Sequence, residues 1–161
     1  RDVSGFFISD CGVLFVNNKY FDKKEKLKNI LKVVKDINKK LIEDDIMTTT
    51  SISYGQFSYH NRIEFKGISK SPIYGNAYVT AFLDNENGTP KLEPGQCRIV
   101  FKNNEDIEQY NILLLEKIRK HYYYYWMLEN EEDVENFKKE YTNSYKLKYA
   151  GMLSSLKRNL R

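Results

Sequence analysis

Phe6-Phe7-Ile8-Ser9-Asp10-Cys11-Gly12-Val13-Leu14-Phe15-Val16 sets a single carboxylate in the middle of an apolar, β-type run. An aspartate buried in a strand is costly unless something pairs with it. At the tip of a tight hairpin it would stand at a sheet edge, where a carboxylate can hold a metal ion. Residues 3–16 are therefore expected to form two strands joined at Asp10 to Gly12, with Asp10 on the edge of a mixed sheet. Asp and Gly are also ordinary turn residues, so the stretch reads equally as a plain polar turn.

Working outward, the clearest helix is Glu25 to Ile42. Leu27, Ile30, Leu31, Val34, Ile37 and Leu41 recur at spacings of three and four, with Lys, Asn and Asp between them. The lysines read as its solvated face. Met47 to Gly55 is β-branched and ends at a glycine, which predicts a strand entering a turn. Phe57 to Phe65 continues as an irregular strand, and Gly67 to Pro72 as a loop. Pro72 is expected to open a helix through Ile73, Ala77, Tyr78, Ala81 and Phe82, because proline suits a first helical turn. Asp84 to Gly95 reads as a polar loop and Cys97 to Lys102 as a short strand.

After Asn103 the character changes. Ile107 to Lys120 is amphipathic, His121 to Leu128 is strongly aromatic, and Glu131 to Tyr141 and Tyr145 to Leu160 read as helices. The aromatic cluster Tyr122 to Trp126 could stack bases but reads better as a core or subunit contact. The division expected is an α+β domain over residues 1–103 and a helical extension over 104–161. Strands mixed with helices that pack on the sheet give an α+β or α/β pattern.

Bulk properties narrow the functional classes. The 161 residues carry 26 basic and 22 acidic side chains, a net charge of +4. That permits a phosphate-bearing ligand without requiring nucleic acid; DNA is not an expected partner. Cys11 and Cys97 lie far apart, so a reducing cytoplasm is the default and a disulfide framework is not expected. No apolar run reaches the roughly 18 to 20 residues of a membrane span. His60 and His121 lack ligand neighbours at metal spacing, and there is no P-loop. The chain opens on Arg1 rather than Met, which suggests a start inside a longer protein.

Four pieces in order carry a resemblance. Ile8-Ser9-Asp10, Ile52-Ser53-Tyr54-Gly55, Tyr74-Gly75-Asn76-Ala77 with Ala81, and Arg98-Ile99-Val100 match, over about residues 3–102, the motifs of the class III nucleotidyl cyclase catalytic domain. The chain resembles most its bacterial branch with the pyrimidine cyclases of antiphage defence. The resemblance implies a ferredoxin-like, palm-type mixed sheet with helices packed on it. It also implies a homodimer that converts a nucleoside triphosphate, UTP or CTP among the candidates, to a 3′,5′-cyclic mononucleotide by two-metal catalysis with Mg²⁺ or Mn²⁺. Asp10 would be a metal ligand and catalytic residue and Arg98 a catalytic residue. Ser9, Tyr54, Gly55, Tyr74, Gly75 and Asn76 would bind substrate.

The pattern also departs from that family. Its first-strand carboxylate is not visible, and that strand is expected upstream of Arg1. Asp2-Val3-Ser4-Gly5-Phe6 looks like the missing motif, but only seven residues separate Asp2 from Asp10, so the match is read as chance. Val79 and Leu83 stand where the family places an Asn and an Arg, and Cys97 replaces a proline. Arg98 could grip a phosphate in bidentate fashion or form a salt bridge at a sheet edge. The alternative function is a catalytically inactive palm-like domain that binds a protein or nucleotide partner. A diguanylate-cyclase or CRISPR-polymerase palm ranks below both, because Cys11 stands where those carry a second acid.

Overall fold

Asp22 caps the long helix that the periodicity announces: its carboxylate accepts the Glu25 N–H at 2.8 Å, and the Glu25 carboxylate accepts the Asp22 N–H at 3.0 Å. This reciprocal capping box satisfies two of the donors a helix start leaves open. In the computed structural model, which describes residues 2–8, 10–16, 18–59, 62–65, 68–70, 73–101, 107–145 and 148–160, the chain runs in the following order. The hairpin strands β1 (Val3–Ile8) and β2 (Cys11–Val16) precede α1 (Lys23–Glu43). The strands β3 (Thr50–Ser53), β4 (Ser58–Tyr59), β5 (Arg62–Phe65), β6 (Ile68–Lys70) and β7 (Ile73–Tyr74) lead to α2 (Asn76–Asn87). Then come β8 (Cys97–Val100), β9 (Leu115–Ile118), β10 (His121–Tyr124), α3 (Val134–Tyr145) and α4 (Lys148–Arg158).

The fold is α+β. Two compact units share the chain: residues 1–48, 106–115 and 124–161 make one, and residues 49–105 and 116–123 make the other. In the first, β1 and β2 pair antiparallel from Val3↔Val16 to Ile8↔Cys11, so Asp10 sits in the turn as expected. The hairpin is not, however, the edge of the mixed sheet; its two strands form a sheet of their own. Helix α1 packs on the hairpin and on α4, and α3 packs on α4. Leu27, Ile30, Leu31 and Val34 are buried as the spacing predicts. Ile37 is not: it is 39% exposed, and Asn38 takes the inward place, its side-chain oxygen accepting from Thr48 Oγ1 at 2.7 Å.

The second unit holds the mixed sheet, in the order β3-β8-β10-β9. β3 runs parallel to β8, and β10 antiparallel to it. Helix α2 packs on β3 and β8.

Several expectations are corrected. The helix expected from Pro72 begins at Asn76, with Ile73–Tyr74 a strand before it, and it continues through Asp84 to Asn87. Pro72 lies outside the described residues. The loop expected at 67–72 contains the strand Ile68–Lys70, and the strand expected over 57–65 is divided into β4 and β5. The amphipathic run from Ile107 is a short 3-10 turn at Glu108–Tyr110 followed by β9. Asn111 and Leu114 adopt left-handed backbone (φ 48° and 62°), which no α-helix tolerates. The aromatic run opens as β10, so the stretch after Asn103 is not purely helical. Tyr122, Tyr123, Tyr124 and Trp126 are buried in the fold's own interior, where stacking on a nucleic-acid base is closed to them. Two C-terminal helices are present as expected, but with shifted bounds: Glu131–Asp133 is a 3-10 turn, and Tyr145 ends the first helix instead of opening the second.

Candidate functional site

Asp10 is exposed at the hairpin turn, and a second carboxylate would have to join it to hold Mg²⁺ in the expected way. Asp2 cannot. The register places it at the open end of the hairpin, about 25 Å from the turn at the ordinary strand rise. There its Oδ1 accepts a hydrogen bond from Asn18 Nδ2 at 3.2 Å. Among the described residues no group of three acidic, histidine or cysteine side chains converges as a metal site would require. The hairpin thus supplies one carboxylate, and the described donors do not fit a two-metal centre. Ser9 lies outside the described residues, as does His60.

Most of the residues expected to bind substrate do come together. The Asn76 side-chain oxygen accepts the Gln56 N–H at 2.9 Å, and the Gln56 carbonyl accepts the Ala77 N–H at 3.2 Å. Ser53 Oγ donates to the Ala77 carbonyl at 2.5 Å. These bonds tie the end of β3, with Tyr54 and Gly55, to the start of α2. Gly75 turns the chain into the helix with φ 120°, and a Cβ there would strike the Gln56 carbonyl. Only glycine meets both demands. Tyr54 and Tyr74 are exposed beside this junction. The arrangement serves first to join strand to helix.

Arg98 stands elsewhere in the same unit, on the interior strand β8, with no side-chain exposure. Nε donates to Asp84 Oδ2 at 3.0 Å, and Nη2 to Asp84 Oδ1 at 2.8 Å and to the Asp84 carbonyl at 3.3 Å. Nη1 donates to the Pro90 carbonyl at 2.6 Å and to the Tyr123 hydroxyl at 3.3 Å. A guanidinium has five N–H groups, and all are engaged, so none remains for a phosphate. Ser51 Oγ completes the cluster by donating to Asp84 Oδ2 at 2.7 Å. Burial alone would lower the Arg98 pKa, but the hydrogen bonds it donates to Asp84 and Tyr123, together with the Asp84 charge, hold it above its ordinary value. His121 lies against this cluster, with burial first and the charge of Arg98 second pressing its pKa down. Burial likewise raises the Cys97 thiol far above its usual range, which leaves it unreactive.

Asp84 lies on α2, not in the loop that the polar run Asp84 to Gly95 predicts. The available signal was helical spacing: Ala77, Ala81 and Asp84 fall on one face of α2. That inward face is small and polar. The outward face carries Val79, Phe82 and Leu83, at 50%, 43% and 51% exposure, with the Tyr78 and Phe82 rings stacked 5.9 Å apart. Val79 and Leu83, the positions where the family pattern is broken, therefore face solvent.

The chain was compared with family models, curated proteins and solved structures. Nothing matches. The cyclase-like motifs therefore stand on residue order alone. No helix among the described residues is long and apolar enough to cross a membrane.

Proposed function

We propose that this chain is a non-catalytic domain that associates with a second copy of itself across the outward face of α2. The reading keeps the α+β fold and sets aside the two-metal reaction. The observation that carries it is the reversed polarity of α2. A helix lying on a sheet ordinarily turns its apolar stripe inward and its charges to water. Helix α2 turns Ala77, Ala81 and Asp84 inward and Val79, Phe82 and Leu83 outward. Contiguous exposed apolar surface marks an interaction site. Among the residues of this helix ahead of Glu86, the one ionisable acid is Asp84, already bound to Arg98. A charge-free stripe meets its own copy across a two-fold axis without like-charge repulsion, so a second copy is the partner it suits. The occupied guanidinium of Arg98 supports the non-catalytic half of the proposal.

Sedimentation velocity across the micromolar range tests it. A dimer is expected for the unaltered chain and a monomer with unchanged circular dichroism for Leu83→Asp. A monomer at every concentration would overturn it.

A single observation favours the cyclase as a second reading: Asp10 stands exposed at a hairpin turn, as a metal-holding carboxylate would. Supplying Mg²⁺ or Mn²⁺ with each ribonucleoside triphosphate separates the two. Cyclic product from the unaltered chain that is lost in Asp10→Ala would establish the second reading, whatever the association state.

A further inference from the structure

Helix α1 carries Lys28, Lys32, Lys35 and Lys39 at spacings that bring them to one face. The C-terminal pair is engaged. Lys35 Nζ donates to Glu129 Oε2 at 2.9 Å and to the Leu128 carbonyl at 3.1 Å, and Lys39 Nζ donates to Glu129 Oε1 at 2.6 Å. Two lysines one turn apart thus divide one carboxylate between them, while the preceding Leu128 side chain is buried. The N-terminal pair, Lys28 and Lys32, repeats the same spacing roughly two turns earlier, about 10 Å along the helix axis. Neither forms an ion pair with any described residue.

A cavity of about 380 Å³ opens beside this second pair, within the same unit. Leu31, Tyr124, Ile112 and Leu113 line it; Leu31 and Tyr124 are buried, and Leu113 is 68% exposed. Further along the helix, two lysines at the same spacing hold Glu129 while the Leu128 side chain before it is buried. Like charges one turn apart also oppose each other, so an anion between them relieves the helix.

We propose that this cavity is a docking site for an apolar–acidic segment of a partner protein. Its carboxylate lies between the Lys28 and Lys32 ammonium groups, and the apolar side chain before it rests on Leu31, Ile112 and Leu113. The site lies on the other unit from α2 and does not depend on self-association.

The test uses the full chain and a fluorescent peptide copying residues 125–130, which contain the Leu128-Glu129 pair, read by fluorescence anisotropy. Saturable binding is expected, weakening as salt rises. Lys28→Ala with Lys32→Ala should weaken it about tenfold or more, the scale of a charge-assisted contact. That variant retains Lys35 and Lys39, so a loss there cannot arise from exchange at the seat of Glu129. Leu113→Ser should also weaken binding with both charges intact, and the peptide with Gln for Glu should bind as poorly as the double variant allows. No saturable binding, equal binding by the double variant, or equal binding of the Gln peptide would each overturn the proposal. So would displacement of the peptide by nucleoside triphosphate or inorganic phosphate at lower concentration than by unlabelled peptide, which would make the site a phosphate receptor.

Discussion

Arg98 and Asp84 meet as a bidentate pair, Nη2 to Oδ1 at 2.8 Å and Nε to Oδ2 at 3.0 Å, joining the interior strand β8 to the inner face of α2. Both side chains are buried. Removing one partner leaves the other as an uncompensated buried charge. Asp84→Ala should therefore destabilise the fold by about 3–5 kcal/mol. Replacing both together, Asp84→Leu with Arg98→Met, should recover a large part of that loss, because no unpaired charge remains. Urea unfolding of the single and double variants measures the difference. A double variant as unstable as Asp84→Ala would mean that the pair's other hydrogen bonds, to Pro90, Tyr123 and Ser51, matter more than its charges.

Gly88 guards the same pair. A Cβ at this position would strike the Arg98 guanidinium and the Asp84 carbonyl and come within 2.7 Å of Asp84 Oδ1. The backbone is ordinary there, with φ −60°, so the obstacle is space and not conformation. Gly88→Ala should cost about 1–3 kcal/mol, as overpacking does. Its effect should be only partly relieved when Asp84 and Arg98 are already replaced, because the Asp84 backbone carbonyl still stands in the way, and a double-mutant cycle reads that coupling. Additive losses would show that the methyl group is accommodated away from the ion pair.

His121 gives the fold a dependence on pH. It is 7% exposed, its Nε2 is 3.3 Å from the Thr89 carbonyl, and its Nδ1 has no hydrogen-bond partner among the described residues. That suits a neutral ring with the proton on Nε2. Burial, then the charge of Arg98, lowers its pKa, so on acidification the unfolded chain takes the proton first. The stabilisation is complete above the unfolded pKa of about 6.5 and declines as pH falls below it. Urea midpoints measured from pH 8 downward should show that slope, and His121→Gln should flatten it. An unchanged slope in the variant would assign it to carboxylates instead.

The sequence announced some of this architecture plainly and concealed the rest for physical reasons. Helix α1 was legible because Leu27, Ile30, Leu31 and Val34 keep helical spacing; its start at Lys23, set by the Asp22–Glu25 capping box, was not. The hairpin was legible because one polar turn interrupts an apolar run. β10 was not, since all four of its residues are buried and no in–out alternation marks it as a strand. Arg98 looked like a ligand-binding residue because its partner, Asp84, lies on another element and becomes visible only when α2 is known to reach it. On α2 the ordinary rule that apolar residues point inward gives the wrong face. At Val79, Phe82 and Leu83 that rule fails on the element the proposed function uses.

The Glu129 seat on α1 permits a direct titration. Hydrogen bonds from Lys39 first, and Lys35 second, lower its pKa to about 2. The lowered value means that its stabilisation is complete above the unfolded carboxylate pKa of about 4.3 and is lost as pH falls through about 2. The Glu129 side chain is 64% exposed, so solvent screens the pair, and Glu129→Gln should cost less than about 1 kcal/mol at neutral pH. The titration is the sharper measurement. Carboxyl carbon resonances followed by NMR should place the Glu129 midpoint well below those of the exposed glutamates. In a Lys35→Ala, Lys39→Ala variant the midpoint should return to about 4.3, because both donors that hold the charged form are gone. A midpoint near 4.3 in the unaltered chain would show that the two lysines do not hold this carboxylate in solution, and would remove the internal precedent for the Lys28 and Lys32 site.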